Sequence, residues 1–317
     1  MASRSKSKPN GILVIDKPLG QTSHDVVERV RALTGVRRVG HAGTLDPLAT
    51  GVLIVCVGRT ATRVSEYLME ELKTYRTDVQ LGVVTDTFDG EGEVISRSSV
   101  DLDRDEIERA LAKFRGAIEQ IPPMYSAVKH RGKPLYRLAR QGVEVKREPR
   151  SVKIHRLDLI TWVPHQAQCT LEIACTPGTY VRVLVHDLGQ ELGCGAYVTG
   201  LTRLASGSFR LEDALTLDRF TQAVKDGRWP ELLHPVGQAL ADQFPALTLD
   251  ATRARQLCSG QTIPSEIRTP QNAALARAYG PEGRFLGLAK YDVQEDVWRP
   301  KKIFVTPYPE HPAKSRD

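Results

Sequence analysis

The chain has 317 residues, 41% of them hydrophobic and 26% charged, enough for one large domain or two ordinary ones with real cores. Its 44 Lys and Arg against 38 Asp and Glu leave a formal charge of +6, which tilts the expected partner toward nucleic acid or another polyanion. The longest apolar run, Val52 to Val57, is far short of the roughly 18 residues a bilayer helix needs, and no charged-then-apolar leader opens the chain, so neither a membrane nor a secretory role is expected. Five cysteines without a C-x-x-C pair point to a reducing compartment, the cytoplasm, rather than to a disulfide framework or a zinc site.

In chain order, residues 1–9 are Ser, Lys and Arg-rich without apolar periodicity and read as a disordered basic tail of charge +3. Ile12 to Ile15 form a short buried-strand candidate, closed by Asp16-Lys17-Pro18-Leu19-Gly20. A helix follows, with Thr22 and Asp25 as a capping box, Val26, Val27, Val30 and Leu33 as its stripe and Gly35 as its stop. Val52 to Val57 reads as a second buried strand, and Tyr75, Thr77, Val79 and Leu81 alternate with polar residues as a third. A second capped helix is predicted from Asp103 to Gly116. A third runs over Val181 to Leu192, after the strand-like Thr170 to Thr176 and before Gly193. From Asp242 the pattern changes to a short helix, Ala251 to Cys258, and to strands at Ala274–Tyr279, Phe285–Tyr291 and Trp298–Val305. The predicted class is α+β: a mixed, mainly antiparallel sheet flanked by helices over 10–241, a small mostly β domain over 242–310, and a tail over 311–317.

Charge is unevenly spread. Lys129 to Arg156 carries +8 and interleaves Gly132, Pro134 and Tyr136, a composition suited to phosphate contact, whereas Asp86 to Arg109 carries −6 and reads as a solvated face. The richest stretch for chemistry is Gly40-His41-Ala42-Gly43-Thr44-Leu45-Asp46-Pro47-Leu48-Ala49-Thr50-Gly51, read as a loop feeding the strand at Val52. Pro47 biases Asp46 away from the α region, so its carboxylate can stand at the loop apex; the same residues also suit an ordinary Asp-Pro turn. Gly35 to Gly40 has phosphate-loop spacing, but His41-Ala42 replaces the required Lys-Ser/Thr pair. No G-x-S-x-G, H-E-x-x-H or G-x-G-x-x-G after a strand occurs, so no ATP, nicotinamide or zinc chemistry is expected. Alone, Tyr75 reads as a packed strand residue and Arg182 as a solvent-facing cation. Arg182 gains meaning only by converging on Asp46, where a guanidinium would keep a partly buried carboxylate ionised.

Five motifs then stand in one fixed order: Asp16-Lys17-Pro18-x-Gly20, the G-H-x-G-x-L-D-P-x-A-x-G loop, Lys73-x-Tyr75, Pro122-Pro123-Met124-Tyr125-Ser126-Ala127, and Gly178-Thr179-Tyr180-Val181-Arg182. Together they resemble the TruB family of tRNA pseudouridine synthases over about Asn10 to Phe209, and the C-terminal region resembles, through weaker motifs, a PUA-type RNA-binding module. The resemblance implies a cytoplasmic, monomeric enzyme that converts uridine 55 of the tRNA T loop to pseudouridine with no cofactor and no obligate protein partner. It assigns catalysis to Asp46, the catalytic aspartate, Tyr75, stacked on the target base, and Arg182, paired with the aspartate. Substrate binding falls to His41, which accommodates the extruded nucleotide, to Lys17 and Pro18, which support the catalytic loop, to Tyr180, and to Leu201 beneath the uracil. Ala42 and Thr44 stand where some relatives carry Thr and Ala, small exchanges that leave carboxylate and histidine in place. Whether Asp46 attacks sugar or base, or removes a sugar proton, is open at this level. The implied reaction needs the uridine flipped out of the T arm, with basic segments attracting phosphates and the C-terminal domain gripping the acceptor end. A non-catalytic RNA-binding protein or tRNA chaperone using the same surface is the competing reading.

Overall fold

A computed structural model describes residues 9–126, 128–130, 132–139, 141–265 and 274–305. The basic tail through residue 8, Ala127 of the fourth motif and everything beyond residue 305 lie outside the described residues. The chain opens with β1 (Gly11–Lys17), α1 (Ser23–Thr34), β2 (Val39–Ala42), β3 (Ala49–Val57), α2 (Arg59–Met69) and β4 (Lys73–Leu81). A hairpin of β5 (Val83–Thr85) and β6 (Val94–Arg97) leads to α3 (Arg104–Ala112), β7 (Gly116–Gln120), β8 (Lys129–His130), β9 (Lys133–Pro134) and α4 (Leu135–Ala139). Then come β10 (Arg150–Val163), β11 (Gln168–Cys175), α5 (Val181–Glu191), β12 (Ala196–Ser206), β13 (Phe209–Arg210), β14 (Leu215–Thr216) and α6 (Leu217–Lys225). The C-terminal part holds β15 (Ala246–Thr248), α7 (Ala251–Cys258), β16 (Ile263–Pro264), β17 (Leu275–Tyr279), β18 (Phe285–Asp292) and β19 (Val297–Ile303).

The main sheet runs β14-β1-β3-β12-β4-β11-β10-β7, with β2 on β3 and β13 on β12. Its pairs are antiparallel except β1 with β14 and β3 with β12, which is the mixed, mainly antiparallel α+β sheet expected. Both faces of β1 and β3 are covered. Leu13, Ile15, Leu53 and Val55 belong to one core with α1 and α5, while Ile12, Val14, Val52 and Ile54 pack in a second with Val64 and Leu68 of α2. Two-sided burial is why these strands read as unbroken apolar runs, whereas β11, with one face open, alternates along its length. The Thr22 capping box and the left-handed Gly35 end α1 as its sequence demands. By contrast α3 stops at Ala112, and Gly116 takes a positive φ of 92° to open β7 instead of closing the helix.

A separate five-stranded sheet, β15-β17-β18-β19-β16, carries α7 and its own core around Leu257 and Trp298. It docks on α2 through Phe285, Leu288 and Phe304, which join the second core. Lys302 Nζ donates to Arg63 O at 2.7 Å and Arg63 Nη1 donates to Ile303 O at 3.1 Å across this seam. All five cysteines are buried and unpaired, and among the described residues no helix is long and apolar enough to cross a membrane.

Two sequence expectations are corrected, and a third is qualified. Val39–Ala42 is a strand paired with β3, so His41 lies on β2 and the true loop is only 43–48. Part of the basic run is engaged in ion pairs at the surface, Arg156 with Glu172 and Asp158 and Arg147 with Glu144. The acidic run is not all a solvated face, because Asp89 is buried.

Candidate active site

Residues 43–48 join β2 to β3 and carry Asp46 on a tight turn, closed by the Ala49 N–H donating to Asp46 O at 3.0 Å. Buried side chains pin this turn from several directions. Ser23, the first residue of α1, donates its hydroxyl to Leu45 O at 3.1 Å and accepts from Leu45 N at 2.8 Å. Lys17, fully buried at the end of β1, donates Nζ to Pro18 O at 2.9 Å, to Pro47 O at 3.3 Å and to Gln21 O. The Gly20 N–H adds a 2.9 Å bond to Pro47 O, so the first motif is a strap for the loop. Burial is the main reason that the Lys17 ammonium pKa falls to about 8, with the Asp46 carboxylate pulling it back up.

Arg182 comes from the first turn of α5 and is 5% exposed, not solvent-facing. Its Nη2 lies 2.8 Å from Asp46 Oδ2 and its Nη1 3.1 Å from Asp89 Oδ2. The same two nitrogens donate to Tyr125 O and Thr87 O, each at 3.0 Å. A guanidinium has only donors, and here they are directed at two carboxylates and two carbonyls. Asp89 is held in turn by the Thr87 hydroxyl at 2.6 Å and the Glu91 N–H at 3.1 Å. Phe88 beside it sits at a positive φ of 64° and stacks on His186, one helical turn beyond Arg182. Asp89 was legible only as one acid among nine in the acidic segment.

Asp46 stands at the meeting of two clefts. One, of about 330 Å³, is lined by Tyr75, Leu201, Tyr180, Lys73 and Arg203 as well as Asp46 and Arg182. The volume falls in the ordinary range for a small-ligand site, roughly 300 to 1,000 Å³. Tyr75 on β4 lies directly across from Arg203 on β12, and Leu201 two residues earlier shares that face. Burial pushes the Tyr75 phenol above its usual pKa, against the pull of Arg203. Tyr180 is raised by burial as well, and Gln120 fixes its backbone by accepting from its N–H at 3.0 Å and donating to its carbonyl at 3.2 Å. The second cleft, about 480 Å³, holds His41, His24, Thr87 and Glu91 with Asp46 on its rim. Burial, followed by the charge of Arg203, keeps His41 below its usual pKa.

Of the residues singled out from sequence, Asp46, Arg182, Tyr75, Tyr180 and Leu201 meet at the first cleft, and His41 reaches only the second. Lys17 and Pro18 line neither and act behind the loop. Sequence reasoning missed Ser23, Asp89 and Arg203. Ser23 follows the cap at the helix start and is the one of the three with a local signal.

The description TruB family pseudouridylate synthase (N terminal domain) matches residues 31–181, and tRNA pseudouridylate synthase B C-terminal domain matches 182–241. A third, Pseudouridine synthase II TruB, C-terminal, matches 245–303. The tRNA pseudouridine synthase B of Cupriavidus metallidurans is 43% identical over 93% of this chain and 94% of its own. The chain belongs to the TruB family. The protein of the same name from Dehalococcoides mccartyi is 43% identical, covering 96% of this chain and 99% of its own. Among solved structures, an H/ACA RNP bound to a substrate RNA containing 2′-deoxyuridine aligns with a TM-score of 0.72 at 22% identity, over 95% of this chain and 87% of that one. A Cbf5-Nop10-Gar1 complex aligns at 0.70 and 24%, over 93% and 85%. At those identities the likeness speaks to the fold. As a TruB-family member the chain is a pseudouridine synthase, an isomerase.

Proposed function

We propose that this TruB-family enzyme acts on tRNA, as its named relatives do, and isomerises uridine 55 of the T loop at the cleft beside Asp46. The observation that carries this reading is the 2.8 Å contact between Arg182 and Asp46 on a wall shared with Tyr75 and Leu201. The ion pair aims the Asp46 carboxylate while it stays 37% exposed to an incoming nucleotide. Pseudouridine formation breaks N1–C1′, turns the uracil, joins C5 to C1′, releases the C5 proton and places a proton on N1. The balance is a pure isomerisation, and Asp46 serves either as nucleophile or as the base that removes a sugar proton.

A uridine in a folded arm reaches this cleft only when flipped from its stack, and Tyr75 and Leu201 supply the aromatic and apolar contact that offsets unstacking. Tyr180 completes the wall, and His41, in the adjoining cleft, helps accommodate the extruded nucleotide. Lys17 and Pro18 act by holding the loop. The body over 10–241 does the chemistry, and the domain over 242–310 grips RNA toward the acceptor end. The enzyme works as a monomer in the cytoplasm without cofactor or obligate protein partner.

Tritium release from a tRNA transcript labelled at uridine C5 tests the reading. Wild type is expected to release one equivalent per tRNA, from position 55, and Asp46→Asn to bind the same tRNA without release. Release from another position, or undiminished release from Asp46→Asn, would overturn it.

A further inference from the structure

Four cations are buried at the Asp46 loop and the first cleft, Lys17 behind the loop and Lys73, Arg182 and Arg203 in the cleft wall. Arg182 has its carboxylates, and Lys17 and Lys73 donate to backbone carbonyls at the loop and at the end of α2. Arg203 is different. It is 1% exposed and has no carboxylate within ion-pair distance among the described residues. Its Nε donates to Val52 O at 2.7 Å, and its Nη2 to Gly43 O at 3.0 Å, where the Asp46 loop begins. A Cβ built on Gly43 would lie 3.4 Å from Arg203 Nη1, so the guanidinium packs directly under that end of the loop. On its other side β12 presses on β3 so closely that a Cβ on Gly51 would fall 2.3 Å from Arg203 O, and Gly51 takes a φ of 95°. Across the sheet from Arg203, in register, stands Tyr75. One side chain thus spans the first residue of the loop, the strand that follows it and the facing tyrosine.

We propose that Arg203 is a positioning residue that sets the Tyr75 phenol against the Asp46 loop and turns it into a hydrogen-bond donor toward the substrate. The reason is chemical. A guanidinium can only donate, so a phenol facing it must accept through oxygen, and the phenol proton is left to point into the cleft. The unpaired positive charge also lowers the energy of any negative charge that gathers on Tyr75 during proton transfer, consistent with its pull against burial at that phenol. Lysine offers a donor without the planar fork that reaches Val52 O and Gly43 O together, so it would serve only in part.

This inference rests on the proposed role of Tyr75, and the test separates the two. Arg203→Met and Arg203→Lys are compared with wild type, alone and combined with Tyr75→Phe, for tRNA affinity and single-turnover rate. The Tyr75 ring carbon is titrated in protein carrying ¹³Cζ-tyrosine, its resonance identified by its loss in Tyr75→Phe. Arg203→Met is expected to slow turnover about 10- to 100-fold with affinity held within about threefold. It should also raise the pH at which Tyr75 ionises, with Arg203→Lys intermediate on each measure. Adding Tyr75→Phe should cost little more than the slower single change, because the two act as one unit. Rate losses that multiply, or a Tyr75 titration unmoved by either substitution, would overturn the assignment of Arg203. Should Arg203→Met fail to fold, the titration in Arg203→Lys decides. A wild-type rate in Tyr75→Phe would overturn the donor role given to the phenol, and with it the assignment of Arg203, while leaving the stacking role of the ring untouched.

Discussion

The Asp46 loop and the seam between the C-terminal sheet and α2 are both buried contacts, yet they are built from opposite materials. The loop is held by Lys17, Ser23, Arg182 and Arg203, each bonding a particular oxygen or nitrogen. The seam is made of Leu288, Phe285 and Phe304 against Val64 and Leu68, with Lys302 and Glu66 paired at its edge. Directional bonds in a dry setting fix one atom within a fraction of an ångström, at the risk of leaving a charge unpaired when one partner goes. Apolar area holds two bodies together without prescribing where any single atom stands. The contrast says that the site is aimed by polar contacts and the C-terminal domain is merely held.

The strongest way to break that contrast is Arg182→Met. It strands the buried Asp89 without its cation, and the expected loss is roughly 3–5 kcal/mol of unfolding free energy, measured by urea denaturation, together with loss of turnover. Leu288→Ala probes the other side: removing a buried leucine from the seam should cost about 2–5 kcal/mol while the single-turnover rate at saturating tRNA stays unchanged. A rate that falls with Leu288→Ala would mean that the seam also aims the cleft, through Met69 and Glu70 at the end of α2.

Subtler is the pH dependence carried by Lys17. Its folded pKa of about 8 lies below the ordinary 10.5, so between those values the unfolded chain binds more protons and stability rises with pH. That contribution is full above 10.5 and lost as pH falls through 8. Denaturation of wild type and Lys17→Met from pH 7 to 10 should therefore show a steeper rise for wild type. Smallest of all, Lys302→Met removes a partly exposed pair and should change stability by no more than about 1 kcal/mol, with its effect fading in salt.

Much of this arrangement was legible locally. The Thr22 capping box, the stripe of α5 and the bounds of α7 are set by neighbours a few residues apart, and each formed where predicted. The unpredicted elements lacked such signals. α2 begins after Gly58 with no side-chain cap. β10 loses its period at bulges near Arg156 and Thr161, and β12 is interrupted by Gly200 and Arg203, which look like loop and surface residues out of context.

Local pattern along the chain carries the α+β class, the apolar strands and the capped helices, and five ordered motifs carry the family and the candidate roles of Asp46, Tyr75 and Arg182. Which cations are buried, and what each one faces, follows from the packing of distant segments. Asp46 and Arg182 are 136 positions apart in the chain, and Asp89 and Arg203 carry no mark that separates them from surface charges. A charged residue's meaning depends on the water it has lost and the partner it has met, and both are set by the pairing of distant strands.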